Sequence, residues 1–393
     1  MKPATSLRTP LRILALGASL AVLAGCSSMM DALNPFGSKP DPKTLPAPLV
    51  ALDAKSVTPK VLWSLSVGGA SPFVFSPALV GETVYAAGGD GSILRIENGK
   101  QVWRVNAGQK LSGGVASDGK LVVVGTPKGD VLAFNAENGA PLWQARVASE
   151  VLSAPVITEG LVAVRSGDSR IYAFDVADGK RRWVYQRSTP ALSLRAATGM
   201  VAVPGAILSG FSGGKLVAVA LNNGAAVWEV TVALPKGSTE LERVADITSP
   251  PVLSGREVCA VAYQGRVACF DASNAQTLWA RDVSSFSGME LDSRNAYVSD
   301  EKGNVIAFDR KAGASAWKQV NLANRGLSRP LAISNYLVVG DVQGYVHLLR
   351  RDDGSYAGRA ALDGSAVAAE PRRLGDAVLV QTLGGTLYAL SID

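Results

Sequence analysis

LAFNAENGAPLW (residues 132–143) and YAFDVADGKRRW (172–183) are one phrase written twice, 40 residues apart. Each runs from a small residue and an aromatic through Asn or Asp and a Gly to a closing Trp. All seven tryptophans belong to the series, Trp63, Trp103, Trp143, Trp183, Trp228, Trp279 and Trp317, with gaps of 40, 40, 40, 45, 51 and 38 residues. Self-similarity at such a period marks a repeat architecture, and it is read before any search for catalysis.

The cassettes are GSILRIENGKQVW (91–103), the two above, GKLVAVALNNGAAVW (214–228), GRVACFDASNAQTLW (265–279) and GNVIAFDRKAGASAW (303–317). Two degenerate copies follow. GYVHLLRRDDGSYAG (344–358) carries Gly358 where Trp is due, and GGTLYALSID (384–393) ends before its Trp. The total is eight.

Within a cassette, KLVVVGT (120–126), VLAFNA (131–136) and PLWQARV (141–147) are short apolar, β-branched or aromatic runs cut by Gly, Asn and Asp turns, and a fourth run such as SAPVITEG (153–160) opens the next unit. Four strands in roughly 40 residues is a propeller blade. The expected fold is all-β, an eight-bladed propeller of four-stranded antiparallel blades. Trp63 has no cassette of its own and the last cassette lacks a Trp, so the N-terminal segment is expected to supply the outermost strand of the last blade and close the ring. The tryptophans themselves read as wedges between neighbouring blades.

With 41 glycines, 47% hydrophobic residues and 18% charged, the composition suits an all-β chain whose core needs no metal or disulfide. Ahead of the repeats, Lys2, Arg8 and Arg12 precede an apolar stretch, ILALGASLAV (13–22), too short to span a bilayer, and then LAGC (23–26). This resembles a bacterial lipoprotein signal, which implies cleavage after residue 25 and lipid attachment at Cys26. Ser27 in place of Asp implies transport to the outer membrane. Residues 26–60 read as a lipidated Cys and a Pro-rich tether, holding six of the chain's 20 prolines and able to reach roughly 100 Å. Residues 61–393 are the expected propeller.

Catalytic material is sparse. The charge of +6 falls to +3 without Lys2, Arg8 and Arg12, ordinary for this size and no argument for nucleic acid. His347 is the sole histidine, which excludes a His-rich metal cluster and leaves it a structural reading. Cys259 and Cys269 flank a hairpin around YQGR (263–266). A two-residue turn at Gln264-Gly265 puts them on opposite faces, and a register shifted by one residue sets them opposite each other in disulfide range.

The A-x-D-x-x-x-G-x-x-x-W phrase resembles the repeat of pyrroloquinoline-quinone dehydrogenases, whose Cys-Cys pair and extra length this chain lacks. A periplasmic carbohydrate binder is a third reading, which the assignment of every Trp to a blade disfavours. Lipobox, tether and eight minimal repeats together resemble the BamB family of β-barrel assembly factors, over the whole chain. That resemblance implies a non-enzymatic scaffold with no cofactor and no metal, anchored to the outer membrane on its periplasmic face and docking the POTRA domains of BamA within the BAM complex.

It also implies a site. The 45- and 51-residue gaps are insertions emerging side by side on one face, ALSLRAA (191–197) and KGSTELERVADITSPP (236–251). Leu192, Leu194, Arg195 and Asp246 match the family's docking positions, while Thr248 stands where relatives tend to have a second acid. Two leucines can enter an apolar groove and the Arg fork can take a carboxylate or backbone carbonyls.

Overall fold

The computed structural model describes residues 44–53 and 56–392. The expected signal peptide, Cys26 and the expected tether up to residue 43 lie outside the described residues.

Eight four-stranded antiparallel sheets follow one another, as the 40-residue period requires. Blade one is formed by Ala78–Val80, Thr83–Ala87, Ser92–Glu97 and Lys100–Asn106; blade three by Val156–Thr158, Leu161–Arg165, Ile171–Asp175 and Arg181–Tyr185. Short runs of buried β-branched residues build the middle strands. Outer strands alternate, as in PLWQAR (141–146), because one face packs on the next blade and the other meets water. The core is therefore a series of layers between consecutive blades, such as Leu121, Val123, Val131, Val162, Val164 and Tyr172 between blades two and three.

Closure occurs where the sequence places it. Lys60–Ser66 pairs antiparallel with Thr386–Ser391, setting Trp63 opposite Ala389 in the sheet that also holds Ala377–Gln381. The same one-residue bulge sits beside the Trp position in every blade, between Val61 and Trp63 here and between Ala173 and Phe174 in blade three.

The Gly and Trp of the phrase are partners across blades. A Cβ on Gly179, at φ +70°, would come within 2.6 Å of the Trp143 ring, and Gly99, Gly139, Gly224, Gly313 and Gly354 meet the preceding Trp in the same way. The turn needs positive φ and the indole leaves no room for a side chain. Six indole N–H groups also donate to a carbonyl of the following blade, as Trp143 Nε1 does to Val176 O at 3.0 Å. One large side chain thus fills the gap and satisfies its only donor.

Gly358 explains its own exception. It pairs with Leu348 at the Trp register position, and Val57 lies beside it in a parallel bridge, its amide donating to Ala357 O at 2.7 Å. A Cβ on Gly358 would run into the Val57 carbonyl. The strap that displaces the Trp begins at Ala47, whose amide donates to Ala323 O at 2.8 Å and whose carbonyl accepts from Arg325 at 2.8 Å; Val50 O accepts from Arg359. From Ala47 the expected tether is thus fastened along blade seven. Hydrogen bonding wins over the Pro-rich composition that read as extended chain.

Arg325 is almost wholly buried and pairs with Asp341, whose carboxylate also accepts from His347 at 2.8 Å. Burial would raise Asp341, but hydrogen bonds from His347, the Tyr345 amide and Arg325 hold it below the usual carboxylate range. His347 is structural, as expected.

Cys259 and Cys269 stand directly opposite, with Cα atoms 4.1 Å apart and a disulfide between them. The register is the shifted one, with Gln264 at φ +48° in the turn. The bridge ties up the two thiols that, with Glu257, form a group of three potential metal ligands.

Candidate functional site

The two long gaps become two loops on one face. The first, residues 186–199, joins Arg181–Tyr185 to Met200–Val203; the second, residues 232–251, joins Ala226–Thr231 to Val252–Ser254. The second is tied to the hairpins of two blades: Ile247 N donates to Phe211 O at 3.3 Å and Tyr263 N to Asp246 O at 2.8 Å. Its tip is a capping box, in which Thr239 Oγ1 accepts from the Glu242 amide and the Glu242 carboxylate accepts from the amides of Ser238 and Thr239. The Thr239 amide first, then that of Ser238, lowers the Glu242 carboxyl below its ordinary range.

Asp246 joins the loops. Its carboxylate is buried, with Oδ2 accepting from the Leu194 amide at 2.7 Å and Oδ1 from the Gly213 amide at 3.0 Å. This acid therefore fixes the position of the first loop from beneath. Thr248, also buried, donates to Phe286 O at 2.7 Å.

The remaining three residues are presented outward. Leu192 is 47% exposed and Leu194 half-buried. Arg195 extends over the connection between blades two and three, where its Nε and Nη2 each donate to Glu150 at 2.7 Å in a fork-to-fork pair, and its guanidinium stands 5.9 Å from the Phe73 ring. The Glu150 hydrogen bonds, over a small burial effect, raise the Arg195 pKa.

Glu150 and Phe73 were invisible from sequence, since they lie 45 and 122 residues from Arg195 and only ring curvature brings them together. The exposed Leu234, Leu241 and Phe286 on the second loop and its neighbour were also missed, for want of any periodic signal. The structure places Leu192, Leu194 and Arg195 on the first loop.

These features define a class: a closed propeller whose specialised surface is a loop pinned over one face by a buried acid. The comparisons narrow it. Residues 93–319 match the family described as outer membrane protein assembly factor BamB. The chain is 42% identical to that factor from Bordetella pertussis over 94% of both chains, and 46% identical to that from Pseudomonas aeruginosa over 84% of this chain and 88% of the other. The crystal structure of BamB from Moraxella catarrhalis superposes with a TM-score of 0.80 at 27% identity, covering 85% of this chain and all of that one. The chain belongs to the BamB family of outer membrane protein assembly factors, which are not enzymes. A quinohemoprotein alcohol dehydrogenase from Pseudomonas putida, at 14% identity and a TM-score of 0.69, shares the propeller fold alone.

Proposed function

We propose that this protein is a scaffold subunit of the β-barrel assembly machinery that docks the POTRA domains of BamA through Leu192, Leu194 and Arg195, with Asp246 as the positioning residue. The observation that carries the reading is the Leu194–Asp246 hydrogen bond, which holds two leucines and a guanidinium in one fixed arrangement before any partner arrives. Each leucine can lose its remaining water in an apolar groove, worth about 1 kcal/mol for a half-exposed side chain. Arg195 already adopts a bidentate geometry with Glu150, and a partner carboxylate or carbonyl can take over that fork. The propeller supplies rigidity and a wide face, and no cofactor takes part in this role.

Cys26 is the lipid attachment site in this reading, hanging the ring from the inner leaflet of the outer membrane. Because the strap is fastened from Ala47, the chain between Cys26 and that point reaches at most about 70 Å, shorter than the Pro-rich composition alone suggests. Affinity capture of the intact lipoprotein from outer membranes tests the assignment. BamA should be recovered with the wild type, and its absence would reject the docking reading. Cys26→Ala should leave the outer-membrane fraction; full retention there would reject the anchor.

A further inference from the structure

A cleft of about 210 Å³ opens at the root of the first loop, between Leu194, Arg195 and Thr248 on one side and Arg165 and Ser166 of blade three on the other. Arg165 ends the strand Leu161–Arg165 and is buried. Its Nη1 donates to Ser209 Oγ at 2.6 Å and to Gly210 O, and its guanidinium lies 4.4 Å from the centre of the Phe211 ring. None of these partners carries a charge. Arg165 lines the cleft, and among the described residues its Nε and Nη2 form no hydrogen bond.

Burial pulls the Arg165 pKa down to about 10, Asp246 pulls it partly back, and Arg187 opposes Asp246. Two acids line the cleft, and both are already engaged: Glu150 accepts from Arg195 through its two oxygens, and the two oxygens of Asp246 are taken by the amides of Leu194 and Gly213. The cleft therefore holds a cation whose free edge has no acceptor.

We infer that this cleft receives a carboxylate side chain of the docking partner, with Arg165 as its counter-ion. The inference rests on the docking reading above. A partner that covers Leu194 and Arg195 also covers the cleft mouth and strips water from Arg165, and an unpaired cation sealed from water is costly. An acidic side chain removes that cost. The unoccupied Nε–Nη2 edge of the guanidinium matches the two oxygens of a carboxylate, and Ser153 and Ser212 line the same space with hydroxyls able to donate. Specificity follows, because a neutral residue at that position leaves Arg165 buried and unsatisfied.

The test uses the full-length lipoprotein in detergent, the POTRA region of BamA, and a melting curve for each variant. Arg165→Met should weaken capture about tenfold or more, the scale for losing one side of a desolvated charge pair. Ser212→Asp places a resident carboxylate in the cleft and should weaken capture by a similar factor while keeping the fold. It decides the matter if Arg165→Met does not fold. Replacing the POTRA acids one at a time by their amides should find one whose effect disappears in the Arg165→Met background. Wild-type capture by Ser212→Asp, or by a folded Arg165→Met, overturns the inference. Acetate that stabilises the wild type but not Arg165→Met, with capture unaffected in both, identifies a free-anion site and likewise overturns a partner side chain. Loss with Arg195→Ala but not with Arg165→Met removes the cleft alone; no loss with either removes the docking site itself.

Discussion

The backbone amide of Leu194 donates to the carboxylate of Asp246, 52 residues further along the chain, at 2.7 Å. Through this bond a buried acid in one insertion sets the conformation of an exposed loop in the other. Asp246→Asn removes the charge and one of two good acceptors for the amides of Leu194 and Gly213. The expected result is a loss of about 1 to 3 kcal/mol in stability, the cost of an unsatisfied buried group, together with weaker BamA capture. An unchanged melting curve with unchanged capture would refute the positioning role.

Arg195→Ala should behave differently. Its pair with Glu150 is largely exposed, so stability should move by less than about 1 kcal/mol, while capture should weaken by about 1 to 3 kcal/mol. The double change Leu192→Ala with Leu194→Ala should weaken capture comparably. Pull-down beside a melting curve separates these variants from Asp246→Asn.

Shortening the N-terminus should give a graded series. Removal of residues 27–57 should lower stability by about 1 kcal/mol per strap hydrogen bond lost, read as a lower melting temperature, and removal through residue 68 should cause a large drop or aggregation as Thr386–Ser391 becomes an edge. Equal melting temperatures for the two truncations would reject closure by the Trp63 strand.

Gly358→Trp restores the repeat phrase and should nevertheless destabilise the protein, because the position beside Leu348 is held by Val57. Hydrogen exchange at the Val57 amide should rise sharply in this variant. Protection equal to the wild type would show that the strap and the missing Trp are unrelated.

Stability should fall on mild acidification because of His347. Burial first, then Arg325 and Arg359, depress its folded-state pKa against the opposing pull of Asp341. Between the unfolded value of about 6.5 and the lower folded one, the unfolded chain binds a proton that the folded chain does not, so stability is full above that window and declines as pH falls through it. His347→Gln should flatten this part of the profile in melting curves taken across the window. A wild-type slope in the variant would assign the effect elsewhere.

The number of blades, their four-strand content, the closure by Trp63 and the two loops that break the period were legible in the residues alone. Those features rest on local chemistry: turn residues, strand alternation, and a Gly that must be bare because a Trp sits over it. The 45-residue gap marked the insertion that holds Leu192, Leu194 and Arg195, and the family resemblance singled those three out within it. Tertiary structure alone decided the Cys259–Cys269 register, because turns differing by one residue read alike in sequence and only packing selects the face. It alone decided that Asp246 works from within, that Arg195 leans on Glu150, that Arg165 lines a cleft with its Nε and Nη2 unbonded, and that Val57 fills the place of a Trp. Each of these depends on residues far apart in the chain being brought together by ring curvature and closure, which no local pattern encodes.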